Sequence, residues 1–203
     1  MAGHFEATPG GGAAVALDEV EISILRSLAV QLLELIGPGE TPADGEDPLA
    51  ALFAEGPSKP PSDPALARLF PDAYGGPDGP VPEEKSAEEL RELSAEFRRF
   101  TENDLRSRKR EDALAVVRTL DALSPAGDGA AVLTLTADEC RSWLGSLNDL
   151  RLTIGTRLDV SDEDEGEAGS LYRLPDSDPR KPMVMAYLWL GALQETLVET
   201  LMP

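Results

Sequence analysis

SAEELRELSAEFRRFTENDLRSRKREDALAVVRTLDAL, residues Ser86 to Leu123, decides the fold class. Ser86 and Glu89 stand at capping-box spacing, which marks a helix start. Leu90, Leu93, Phe97 and Phe100 recur at three- and four-residue steps. Ala113, Val116, Leu120 and Leu123 form a second stripe of the same period, and Ser124-Pro125 ends it. Such spacing puts apolar side chains on one face of an α-helix. Between the stripes, TENDLRSRKRED breaks the period. The segment therefore reads either as one helix of roughly 55 Å, at about 1.5 Å of rise per residue, or as two helices meeting at a bend.

Working outward, three further stretches carry helical stripes. Asp18 reads as an N-cap, with Glu19 and Glu21 in the first turn, where the helix dipole favours acids. Val20, Ile24, Leu28, Leu32 and Leu35 then form a stripe that Gly37-Pro38-Gly39 stops. Thr136 or Asp138 caps a helix running to about Leu158, with Cys140, Leu144, Leu147 and Ile154 on one face. A last helix spans Met183–Met202, with Met183, Ala186, Leu190, Leu193, Leu197 and Leu201 on its apolar face. Extended pieces at Phe5–Thr8 and Ala13–Leu17 flank the turn sequence PGGG and predict a β-hairpin. The alternating, β-branched Ala131–Thr136 predicts a third strand. The fold class is therefore mainly α (α+β): a bundle of four long helices with a small three-stranded antiparallel sheet. One domain is expected over residues 1–203, with a Pro/Gly-rich connector at 37–85 and a flexible acidic loop at 159–181. The connector holds two islands, DPLAALF and DPALARLFPDAY. Each opens with Asp-Pro, a cap followed by proline in the first turn, and predicts a short helix.

Composition narrows the function. Of 203 residues, 38 are Asp or Glu and 18 are Lys or Arg, for a net charge of −20. Affinity for duplex DNA needs cations that displace counterions from phosphates, so direct nucleic-acid binding is not expected. The same charge argues against an anionic membrane surface. A basic protein surface is the complementary partner, although acidity also serves plain solubility. No apolar run reaches the length of a membrane span, and the N-terminus lacks a basic segment followed by a long apolar one. The expected compartment is the cytoplasm.

Enzyme signatures are sparse. The single histidine, His4, sits near the terminus, so no Ser-His or Cys-His pair is expected in a buried site. PGGG lacks the Lys-Ser/Thr of a phosphate loop and the GxGxxG of a dinucleotide fold, and no cofactor is expected. The acidic run holds Asp162, Glu163, Asp164 and Glu165. Asp162 and Asp164 fit the first and third positions of a calcium loop, but Arg173 occupies the twelfth, where a bidentate Glu is needed. The run reads as a solvated loop or as a contact for a basic partner. Arg98, Arg99, Arg106, Arg108, Lys109 and Arg110 form the one basic concentration. Interleaved acids make it either a self-paired helix face or a partner-contact face. Cys140 is the only cysteine. As a small apolar residue it fits the stripe it stands in. A helix N-terminus lowers a thiol pKa, which keeps a redox role open, but Asp138 and Glu139 oppose that effect.

Several stretches together resemble one family: LDEVEISILRSLAVQLLELI (Leu17–Ile36), LFPDAY (Leu69–Tyr74), EFRRFTENDLR (Glu96–Arg106), WLGSLNDLRLTIGTRLDV (Trp143–Val160) and YLWLGALQETLVE (Tyr187–Glu199). They resemble the actinobacterial AosR-like family over nearly the whole chain. The most specific segment is LNDLRLTIGTRL, with Asn148, Asp149, Arg151 and Arg157 as its fingerprint. The resemblance implies a non-enzymatic cytoplasmic regulator in the oxidative-stress response. It implies contact with an extracytoplasmic-function sigma factor and promoted transcription of cysteine-biosynthesis genes. Family genes tend to lie near that of a proteolytic adaptor, so the alternative is an adaptor or scaffold in regulated proteolysis. The family's redox reading rests on two cysteines close in sequence. This chain departs from it, because Cys140 has no partner for an intramolecular disulfide.

Overall fold

The computed structural model describes residues 3–38, 55–75, 86–123, 130–160 and 174–202. In chain order the elements are β1 (Glu6–Thr8), β2 (Gly12–Asp18), α1 (Glu19–Ile36), α2 (Pro64–Leu69), α3 (Ala87–Asp121), β3 (Ala130–Leu135), α4 (Ala137–Arg157) and α5 (Lys181–Leu201). The DPLAALF island and the acids Asp162, Glu163, Asp164 and Glu165 lie outside the described residues.

Local chemistry sets most helix starts. Asp18 with Glu21, Ser86 with Glu89 and Thr136 with Glu139 each form a complete capping box. In each, one side chain accepts from a backbone N–H that the helix leaves unpaired, and a second accepts from the cap residue itself. Losing such a cap costs about 1 kcal/mol. Asp63 caps α2, whose first residue is Pro64. Gly37 ends α1 at φ 81°, and Gly10 and Gly11 turn the hairpin at φ 106° and 82°. Side chains with a Cβ rarely adopt these angles.

The sheet has order β1-β2-β3, antiparallel throughout, with Ala14 opposite both Glu6 and Thr134. One face buries Ala13, Val15, Leu17, Ala131, Leu133 and Leu135. That face covers α4 and α5, while α3 packs between α1 and α4. Trp143 of α4 lies at the centre, fully buried. Its indole N–H donates to Thr119 Oγ1 at 3.0 Å, and its ring meets Phe5 edge-on at 6.0 Å.

The basic segment does not break α3, which is one helix of 35 residues. Three stripe assignments need correction. Val20 and Ile24 are 65% and 41% exposed, and α1 instead buries Leu25, Ala29, Leu32 and Ile36. Apolar residues surround α1, so periodicity leaves the phase open and the neighbours α3 and α4 set it. In α5 the same ambiguity makes Val184 the buried residue, with Met183 43% exposed. In α3 the predicted stripe holds only at its start: Leu90 is buried, but Phe97 and Phe100 are 49% and 63% exposed. The buried face there is Leu90, Ser94, Arg98 and Glu102.

Candidate functional site

Residues 55–75 run along α3, and their backbone needs hydrogen-bond partners. The Gly56 N–H donates to Arg99 O at 2.7 Å. Ser94 Oγ donates to Tyr74 O at 2.8 Å and accepts from Tyr74 N–H at 3.0 Å. Arg98 is 4% exposed; its Nη2 donates to Phe70 O at 3.0 Å and to Asp72 Oδ1 at 2.9 Å. Its Nη1 donates to Glu102 Oε2 at 2.5 Å. Glu102, 3% exposed, also accepts from Arg106 Nη2 at 2.6 Å. The result is a buried ladder, Arg98–Glu102–Arg106, at four-residue spacing. Arg106 stacks 4.5 Å over the Phe70 ring and donates to Ile36 O, and Arg110 donates to Gly37 O. These two arginines meet the carbonyls that the C-terminus of α1 leaves unpaired, where the helix dipole favours cations.

The basic concentration is thus largely turned inward. Lys109 Nζ donates to Asp149 Oδ1 at 2.6 Å across the α3–α4 interface. Arg99 pairs with Glu55 at an exposed position. Arg108 is exposed, with no hydrogen bond or ion pair among the described residues. Glu102, the carboxylate that brings Arg98 and Arg106 together, was not singled out in the sequence. Its signal was the Arg-Glu-Arg spacing, which an exposed ion-paired helix face would share.

The fingerprint residues mostly tie α4 to its neighbours. Asp149 meets Lys109 of α3, and Arg157 Nη2 meets Asp63 Oδ2 at 2.7 Å, holding the start of α2. Arg151 reaches α5: its Nη1 donates to Gln194 Oε1 at 2.7 Å and its guanidinium lies 5.3 Å from the Tyr187 ring centre. Asn148 is exposed. Burial pushes the Asp149 carboxyl above its ordinary range, and the Lys109 ammonium only partly opposes this.

Arg151 also lines an open groove of about 620 Å³ along α5. Its wall carries Tyr187, Leu188, Ala192, Glu195, Val198 and Glu199, with Met202 at the end. These α5 residues recur at three- and four-residue steps on the side away from the buried Leu190, Leu193 and Leu197. No sequence argument had singled this stripe out, because it mixes acids with apolar residues.

Cys140 is 0% exposed, beneath β2. Burial pushes its thiol pKa up, and the Glu139 charge adds to this; backbone donors at Ala13 and Cys140 and the Arg141 charge offset part of it. A thiol held protonated and out of solvent is a poor nucleophile. His4 is exposed, 3.3 Å from Glu6. Among the described residues no cluster of three or more His, Cys, Asp or Glu side chains could hold a metal. No described helix is long and apolar enough to cross a membrane.

Comparison with known proteins places this arrangement. A protein of Mycobacterium leprae (strain TN), named for the oxidative stress regulator AosR, is 32% identical over 184 residues, covering 90% of this chain and 79% of its own. The oxidative stress regulators AosR of Mycobacterium bovis and Mycobacterium tuberculosis (strain ATCC 25618 / H37Rv) are each 29% identical, covering 90% of this chain and 78% of theirs. No solved structure matches the chain. The model of the family described as a domain of unknown function (DUF2017) matches residues 2–201. With the family model spanning the chain and AosR proteins as its relatives, the chain belongs to the AosR-like family, DUF2017.

Proposed function

We propose that this chain is a non-catalytic regulator of the oxidative-stress response. It acts in the cytoplasm by contact with another protein, an extracytoplasmic-function sigma factor. The observation that carries this reading is the similarity over 90% of the chain to relatives named oxidative stress regulators. The interior limits how such a regulator could act: the one cysteine is buried and single, so the chain cannot read an oxidant through an internal disulfide. Regulation then lies in the contact itself, or in a partner that carries the reactive thiol.

Crosslinking of the tagged chain in cells with and without oxidant, followed by partner identification, tests the reading. A sigma factor is expected among the recovered proteins. Recovery of nothing above background under either condition would overturn it. Maleimide labelling tests the thiol separately. Cys140 should resist labelling in the native chain and label fully in urea, and Cys140→Ala should leave any oxidant-dependent contact unchanged.

A further inference from the structure

We infer that the groove along α5 is a docking site for the C-terminal end of a basic amphipathic helix of a partner protein. The inference deepens the reading that this chain acts by protein contact, and it names the surface.

The groove has three parts that select one occupant. Leu188, Ala192, Val198 and Met202 offer apolar area on one side of α5. A helix laid into such a groove contributes apolar residues at three- and four-residue spacing. Glu195 and Glu199 stand one turn apart on the same wall, and both are exposed. Neither has a hydrogen bond or ion pair among the described residues. Acids that tie elements of this chain together do have cations: Asp121 has Arg26, Asp63 has Arg157 and Asp149 has Lys109. Two unpaired glutamates on an apolar wall match lysine or arginine side chains on the incoming helix.

Arg151 supplies the third part. Tyr187 and Gln194 hold its guanidinium in place, and it has no carboxylate partner among the described residues. Nη1 is the one guanidinium nitrogen with a hydrogen-bond acceptor there, and Nε is buried without one. A fixed donor beside two glutamates does not fit an acidic ligand. It fits the unpaired carbonyls at a helix C-terminus, where basic side chains are also favoured. The chain treats its own α1 in this way, with Arg106 and Arg110 donating to the carbonyls of Ile36 and Gly37. The net charge of −20 favours the same partner at long range.

Fluorescence anisotropy with two labelled probes tests the site on the full chain at about 0.15 M salt, where distant charges are screened. One probe is a C-amidated amphipathic helix of Leu, Ala and Lys; the other replaces Lys with Glu. The basic probe should bind at least about tenfold more tightly than the acidic one. Glu195→Lys with Glu199→Lys should weaken the basic probe by about tenfold or more. Glu92→Lys with Glu96→Lys, an equal charge change on exposed positions of α3, should change its binding by less than about twofold. Arg151→Gln should weaken it by about threefold or more, with circular dichroism confirming an intact fold. Equal loss in the α3 control would mean general charge attraction and overturn the site. Failure of the basic probe to bind, or an Arg151→Gln variant that folds and binds normally, would also overturn it. Each of these three results leaves the in-cell crosslinking outcome free to stand or fall separately.

Discussion

The two halves of α3 form one continuous helix and bury opposite kinds of surface. The C-terminal half buries Ala113, Val116 and Leu120 against the apolar faces of α1 and α4. Beyond Leu90, the N-terminal half buries Ser94, Arg98 and Glu102, while Phe97 and Phe100 stay largely exposed, Phe97 with its ring edge-on to Tyr74. The difference lies in what each half meets. The C-terminal half meets side chains of regular helices whose own backbones are already paired. The N-terminal half meets the irregular residues 55–75 and the end of α1, which present backbone carbonyls and N–H groups. Buried backbone groups require partners, so polar side chains are favoured on that face.

Five substitutions can break or sharpen this contrast. Glu102→Ala should have the largest effect, because it leaves Arg98 and Arg106 partly or wholly buried without their shared carboxylate. A loss of about 3–5 kcal/mol in urea unfolding is expected, and a loss below about 1 kcal/mol would mean the ladder is incidental. Leu120→Ala, the counterpart in the apolar half, should cost about 3 kcal/mol through lost burial and a cavity.

Asp149→Asn tests the polar interior by its pH dependence. The unfolded carboxyl releases its proton near pH 4, and the folded one releases it at higher pH because of burial. Between those values the folded state holds the extra proton, so stability falls as pH rises through the interval. Unfolding measured from about pH 3.5 to 7 should show a shallower fall in the variant than in the parent. The residual slope combines Asp112, whose carboxyl burial also raises, with Asp63, Asp121 and Asp178, which arginine partners hold below the ordinary range and which slope the opposite way. Phe97→Ala should cost about 1 kcal/mol, because its ring meets Tyr74 edge-on, and Phe100→Ala should have the smallest effect, within about 0.5 kcal/mol. A cost near that of Leu120→Ala would restore the stripe that periodicity predicts and contradict the exposure seen here.

Much of the fold was legible because its signals are local. A capping box spans four residues, as from Ser86 to Glu89. A strand shows in alternation over six residues, as in Ala130–Leu135, and a hairpin turn shows in its glycines. The candidate site was less legible. The fingerprint at Asp149, Arg151 and Arg157 was visible as a sequence, but its role was not. Each of these residues acts through a partner 40 or more positions away: Lys109, Gln194 and Asp63. The α5 groove was hidden for a related reason. Glu195 and Glu199 read as ordinary solvated acids until the fold shows Arg151 beside them.

The sequence by itself determined the family, the helix and strand inventory, the caps and the absence of an internal disulfide. Each depends on residue identity or on neighbours within a turn. Only the tertiary structure decided which face of α1 and of α3 is buried, that the basic segment is turned inward, and that Cys140 is out of solvent. These are properties of pairs of surfaces. A side chain is buried when the segment opposite it needs what it offers: apolar area along Leu120, hydrogen-bond donors at Arg98 and Arg106. That need is set by the other segment's backbone, which no local pattern in α3 contains.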